Sequence, residues 1–445
     1  MTVAAGFRIG ATVVASVFLL AGCDTINGWF ESEKPKLPGE RISVLELESK
    51  LEPDQSVQDL TVALPEPYVN TEWPQAGGAP TAAMQHTALP ASINEVWRSD
   101  IGEGADDEEK IVARPVAAGG TIYTMDSRAL VSAFDQTTGE RRWRVGLARR
   151  GEELGEIGGG LAVGSGVLVA TTAYGEVYAI DPASGQYFWR VDIDGPIRGA
   201  PLVANDRVYF LASENRLKAL DLRTGEEIWT HQGLLESAEL IGAPSPTSSG
   251  PFILAPYSSG EIYALRADTG QSIWSDQLVR ARRITPLGSI NDVDGMPVID
   301  GERVYVISQG GFLASIDLRR GNRVWDQDMA GRETPWIAGD FLYLMTSESE
   351  LVCLSALDGG IRWVTQMPKY TKPNDEGDRV TWVGPVLAGD RLIIGGSEGS
   401  LWSISPYDGT TLGQVKLDAG ISVAPIVVNN GLYVLTDDGD LIAYR

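Results

Sequence analysis

The stretch DLRTGEEIW, residues 221–229, decides the fold because it recurs. Near-copies are DQTTGERRW (135–143), DPASGQYFW (181–189), ADTGQSIW (267–274), DLRRGNRVW (317–325) and LDGGIRW (357–363). An apolar-alternating strand runs up to the Asp. Four residues later comes a glycine, at Gly139, Gly185, Gly225, Gly270, Gly321, Gly359 and Gly409. Four further on comes Trp143, Trp189, Trp229, Trp274, Trp325 or Trp363. An Asp side chain accepts hydrogen bonds from backbone N–H groups two residues on, and Gly supplies the positive φ that closes a short hairpin. Arg266, Ser355 and Ser405 replace the Asp, whereas the Gly never changes. A turn demands this, because its backbone conformation is strict and its hydrogen bond optional. The Trp then opens the next strand with a large apolar body to pack between units.

Each phrase belongs to a unit of four short strands with two-residue alternation and no segment of helical period. A short Pro-led segment starts the unit, at Pro115, Pro201, Pro244, Pro297, Pro335, Pro385 and Pro425, with Gly160 standing in once, at spacings of 38 to 53 residues. Four-stranded units at this period predict an all-β, eight-bladed β-propeller. The third strand occurs eight times, as LVSAFD, EVYAID, RLKALD, EIYALR, FLASID, ELVCLS, SLWSIS and DLIAYR, and the last copy ends the chain at Arg445. The missing fourth strand is expected upstream, around Trp97 in EVWRSDIG (95–102), pairing beside the C-terminal strand and closing the ring. Closure removes an unpaired edge. The propeller is placed at residues 92–445 and read as monomeric.

The chain has 445 residues, 51 of them Gly, and a net charge of −24. Nucleic acid is not an expected partner, since phosphate binding needs a clustered basic surface. With two Cys and two His, a Cys/His metal site has almost no ligands to draw on. The apolar run 9–21 is too short to span a bilayer and fits a signal-peptide core. It ends in Leu20-Ala21-Gly22-Cys23, which resembles the bacterial lipobox. That resemblance implies a signal peptide over 1–22 and acylation of Cys23, a stable membrane anchor. Cys353 is then left without a disulfide partner and reads as a small buried hydrophobe. Residues 23–91, rich in Pro and scattered acids, read as a flexible tether. Asp24 resembles the inner-membrane retention signal of enterobacterial lipoproteins, so the sequence leaves both membranes open.

In a blade, the turns joining strands one to two and three to four share one face. The two-to-three turns and the blade-to-blade connections share the other. Long connections (148–158, 232–242, 277–295 and 366–383) all fall on that second face, which is therefore the expected binding surface. Chemistry is sparse. His86 and His231 have no nucleophile or carboxylate partner at catalytic spacing, and DDEE (106–109) reads as a solvated loop. Asp292-Val293-Asp294 is half a calcium loop lacking the distal Glu. RARR (280–283) is a local basic spot, either solvated or facing an acidic partner.

The repeat resembles the quinoprotein propellers, whose alcohol dehydrogenases hold pyrroloquinoline quinone with calcium beside an adjacent Cys pair. This sequence has no such pair. A lipobox, a tether and INDVDGMPVIDGERVYVISQGGFLASIDLRRGNRVW (290–325) resemble the BamB family of outer-membrane assembly lipoproteins. The resemblance implies a non-enzymatic scaffold without a cofactor. It would be anchored in the outer membrane facing the periplasm, bind the POTRA domains of BamA within the BAM complex, and steer nascent outer-membrane proteins. It carries a partner-binding role over to Asp292 and Asp294. It also carries one to the loop 238–242, where Leu240 and Gly242 match the family's Leu-x-Leu-Arg-Gly and Ile241 replaces the Arg. Arg282 and Arg283, with Arg280, are candidates for the missing positive charge. Two rivals stay open: a propeller for another envelope partner, and a quinone-dependent periplasmic dehydrogenase.

Overall fold

The computed structural model describes residues 51–106, 108–147, 157–235, 244–278, 293–372 and 377–445. Among these, thirty-two strands form eight antiparallel sheets of four, in an eight-bladed propeller. Blades 1 to 7 run over residues 116–146, 159–192, 202–232, 247–277, 298–327, 336–366 and 382–416. Blade 8 takes Ile426–Val428, Gly431–Leu435 and Asp440–Tyr444 from the C-terminus and Glu95–Asp100 from upstream. The closure expected from the sequence is present, with Trp97 opposite Ala443 and Asp100 opposite Asp440.

Stacked blades cover both faces of their middle strands. Thr121–Met125 is accordingly buried throughout, while the outer strand Arg141–Gly146 alternates towards solvent. The seven turn glycines have φ between +69° and +78°. At the turn, Asp221 Oδ1 accepts hydrogen bonds from the N–H groups of Arg223 and Thr224, both at 2.9 Å, which hold its carboxyl below the ordinary range.

The structure adds a second reason for glycine. The Trp of each blade lies on the turn glycine of the next: a Cβ on Gly225 would stand 2.8 Å from Trp189 Cε3, and one on Gly139 would stand 2.6 Å from Trp97 Cδ2. The indole N–H also donates across the junction, from Trp189 to the Leu222 carbonyl at 2.9 Å and from Trp274 to that of Leu318 at 2.7 Å. Only blade 7 has Gly413 in the Trp position, with open space around it. The next blade receives its outer strand from upstream, so it has no third-to-fourth turn and no turn glycine for a Trp to cover. Gly225→Ala is expected to cost about 2–4 kcal/mol, from the left-handed backbone plus the clash with Trp189. Gly250 has φ +57° with nothing near an added Cβ, so Gly250→Ala meets only the backbone term. Thermal unfolding of the two variants checks this, and equal losses would reject the Trp–Gly contact as the cause.

The segment expected to be a flexible tether is a correction over residues 52–91. Asp54 N–H donates to the Ile361 carbonyl on blade 6 at 2.8 Å, and Arg362 Nε donates to the Leu60 carbonyl at 2.6 Å. From there the chain makes a circuit of the axial channel and touches every blade. Asn70 Nδ2 donates to Val427 O on blade 8 at 2.9 Å. Trp73 exchanges both backbone bonds with Ala117 on blade 1, at 2.7 and 2.8 Å. The Pro74 carbonyl accepts from Val163 N–H on blade 2 at 2.7 Å, and the Gln75 carboxamide accepts from Val203 N–H on blade 3 at 3.1 Å. The carbonyls of Pro80 and Thr81 accept from Ser248 on blade 4 and Ile299 on blade 5, at 2.7 and 2.8 Å. The Gln85 carbonyl accepts from Trp336 Nε1 on blade 6 at 2.8 Å, and Thr87 Oγ1 donates to Leu387 O on blade 7 at 2.7 Å. Each innermost strand is an edge lining the channel, and this strap supplies partners for its free polar groups. Trp73, Ala76, Ala82 and Met84 are buried with it.

His86 is part of the strap. It is buried, with Nδ1 2.8 Å from the Pro65 carbonyl and Nε2 accepting from Asp390 N–H at 3.2 Å, a structural role. Cys353 is fully buried in blade 6, and burial pushes its thiol well above the ordinary range, leaving it inert.

Candidate functional site

The face bearing the blade-to-blade connections carries the candidate site. Of the residues singled out from the sequence, Asp294 is described. Cys23, Leu240, Ile241, Arg282, Arg283 and Asp292 lie outside the described residues. Val293 is fully buried and anchors the loop 293–296 between blades 4 and 5. Across the junction, Met296 N–H donates to Thr334 Oγ1 at 3.1 Å. Gly295 sits so close that a Cβ there would be 2.9 Å from the Glu333 carbonyl oxygen. The loop is thus stapled to residues 332–334, which lead into blade 6.

This staple turns the Asp294 carboxylate inward. Its side chain is 10% exposed, accepts from Gln309 Nε2, and pairs with Arg332 Nε at 3.1 Å, while Arg332 itself is 54% exposed. The resemblance gives Asp294 a partner-binding role; in the structure the exposed member of the pair is Arg332, on the neighbouring connection. Arg332 escapes sequence reasoning because it lies 38 residues on, in an unremarkable connection.

Leu234 and Leu235 were likewise missed. They follow the outer strand of blade 3 on the same face and are 55% and 70% exposed. The Leu234 backbone is held at both ends: its N–H donates to Glu261 Oε2 at 2.9 Å, and its carbonyl accepts from Asn215 Nδ2 at 2.8 Å. The only signal was an apolar doublet in a polar connection. His231, just before it, bonds the Tyr257 hydroxyl through Nδ1 at 2.7 Å and packs at a tilt on Tyr263, and burial lowers its pKa. In DDEE, Glu109 is no solvated acid. It is buried and pairs with Arg128 Nε at 2.8 Å.

The axial channel is where a propeller has room for a prosthetic group. On the site face it is closed by Arg114 and Glu333, 3.3 Å apart across the axis, with Gly384 N–H donating to the same carboxylate at 3.3 Å. Burial pushes the Glu333 carboxyl up, against the pull of Arg114. Beneath them the strap turn packs tightly: a Cβ on Gly77 would be 2.8 Å from that of Ala82. A cavity between Trp73, Gly77, Arg114, Glu333 and Gly384 measures about 20 Å³, room for one or two waters. The residues present do not fit a quinone. Among the described residues, no group of three or more His, Cys, Asp or Glu is placed to hold a metal ion.

The class defined here is an eight-bladed, quinoprotein-like propeller whose channel is occupied by its own chain. Comparisons with known proteins narrow it. A family model described as outer membrane protein assembly factor BamB matches residues 87–151 and 127–365, and the chain belongs to that family. The protein of that name from Yersinia pestis is 26% identical over 360 residues, covering 79% of this chain and 89% of the relative. That from Escherichia coli is 27% identical over 365 residues, covering 81% and 89%. The crystal structure of BamB from Moraxella catarrhalis superposes with a TM-score of 0.67 at 19% identity, covering 80% of this chain and all of that one. The quinohemoprotein alcohol dehydrogenase of Comamonas testosteroni gives 0.64 at 15% identity, covering 84% and 80%, a likeness of fold.

Proposed function

We propose that this protein is a non-enzymatic scaffold of the outer-membrane β-barrel assembly machinery. It docks through its connection face onto the periplasmic POTRA domains of BamA. It is tethered by lipid on Cys23, behind a signal peptide over 1–22, with residues 23–51 as the tether and the propeller facing the periplasm. Family membership points to the machinery. The observation that carries the docking surface is Leu234-Leu235, two exposed leucines of which the first has its backbone N–H and carbonyl clamped by Glu261 and Asn215. Apolar side chains held out by a rigid backbone lose little entropy on binding, which is how interface anchors work. The filled channel supports the non-enzymatic reading, since a substrate or quinone would have to displace the strap. Asp24 bears on the destination, and the assembly role favours the outer membrane.

The test is the affinity of the propeller for purified POTRA domains. Replacing both leucines by Asp leaves the fold intact, because the side chains are exposed, and should weaken binding at least about tenfold, or 1.4 kcal/mol. Wild-type affinity in that variant would reject the surface. Failure of the unaltered protein to bind would favour another envelope partner.

A further inference from the structure

The stapled loop raises a question that the docking proposal leaves open. An acid pair on a binding face suggests a basic partner. Yet Asp294 is spent inside the protein, on Gln309 and Arg332. What it presents outward is a guanidinium.

Arg332 bonds Asp294 through Nε alone among the described residues, and its side chain is 54% exposed. The Nη1 and Nη2 groups are the part of the fork that grips a carboxylate through two parallel hydrogen bonds. An exposed arginine normally samples many rotamers, and ordering it on binding costs affinity. Here the order is built in. Asp294 holds Nε, and the loop carrying Asp294 is fixed by buried Val293, by Met296 N–H on Thr334 Oγ1, and by the close approach of Gly295 to the backbone of Glu333. Glu333, the neighbouring acid, faces the axis and pairs with Arg114, so it does not compete for the Arg332 head group. In a chain of net charge −24, the exposed Arg332 guanidinium is a point of opposite sign. It selects against the basic partners that the rest of the surface would attract.

We infer that Arg332 is a specificity-determining contact of the connection face that receives a carboxylate of the docking partner, with Asp294 as its positioning residue. The inference rests on the proposed docking through this face and deepens it by naming the chemistry at one point. The partner patch opposite blades 5 and 6 is acidic. Asp294 acts through Arg332 and does not itself touch the partner.

The experiment measures affinity for purified POTRA domains at two salt concentrations, with thermal unfolding of each variant as the control for folding. Arg332→Gln should weaken binding about tenfold and make it less salt-dependent, since one screened ion pair is gone. Arg332→Glu should weaken it further. Arg332→Lys keeps the charge but loses the fork, and should recover only part of the loss. Asp294→Asn should cost about threefold while keeping the wild-type salt dependence, because the cation remains but is less well held. Wild-type affinity in Arg332→Glu, with the unaltered protein binding normally, overturns this inference and leaves the docking proposal standing. A loss in Asp294→Asn that matches Arg332→Gln and flattens the salt dependence equally also overturns it, because the acid would then be the contact. No binding by the unaltered protein removes both.

Discussion

Replacing residues 92–100 with a Gly/Ser linker of equal length is expected to lower the unfolding midpoint by about 10 °C or more. The linker keeps the reach from the strap to Ile101 but cannot pair with Asp440–Tyr444. It removes the backbone ladder, the mutual bonds of Asn94 and Arg445 at 2.8 and 3.0 Å, and the Arg98–Asp440 ion pair at 3.1 Å. It also removes Trp97, which packs on Tyr433 and covers Gly139 of blade 1. At roughly 1 kcal/mol per net hydrogen bond and about 3 kcal/mol for the tryptophan, the loss is about 8 kcal/mol. Blade 8 would then expose a bare edge along Asp440–Tyr444, so faster aggregation should accompany the shift. Differential scanning calorimetry with light scattering reads both, and an unchanged midpoint would sink closure as a source of stability.

The second large effect concerns the strap. Exchanging residues 70–89 for a Gly/Ser linker should lower the midpoint by a similar amount, about 10 °C. Trp73, Met84 and Leu89 leave the core, each contributing roughly 1.5–3 kcal/mol on burial, and the innermost strands lose polar partners in all eight blades. The outcome should differ in kind from loss of closure. Every blade keeps its four strands, so the far-ultraviolet circular dichroism should stay near that of the unaltered protein, while an apolar dye gains access to the opened channel. A strap variant that unfolds at the wild-type midpoint and excludes the dye would show that the channel is closed by other means.

Much of the fold was legible because it is local and repeated. A turn needs positive φ in one place, and Gly225 and its counterparts announce it. Alternation marks strands, and the eighth copy ending at Arg445 shows that one strand must come from elsewhere. The missing Trp at Gly413 was equally visible, but its reason was not, since it depends on which blade stacks next. The site was read less well. The Asp-Val-Asp motif drew attention to the connection between blades 4 and 5, yet the side to which Asp294 points depends on Arg332, Gln309 and Thr334, brought in by blade stacking. Leu234 and Leu235 read as ordinary loop residues, because the clamp of Glu261 and Asn215 on the Leu234 backbone comes from elsewhere in the chain.

The strap shows the division most clearly. Residues 52–91 have the prolines, alanines and acids of an unstructured tether, and no periodicity marks them as anything else. They are ordered because the ring of innermost strands presents N–H and C=O groups that the strap pairs with. That requirement exists only once all eight blades are in place. By itself the sequence determined the blade, the number of blades and the strand that closes them, since hairpin turns and two-residue alternation act between neighbours in the chain. The tertiary structure alone decided what fills the channel and how Asp294 pairs with Arg332, because both depend on polar groups that meet only when distant blades come together.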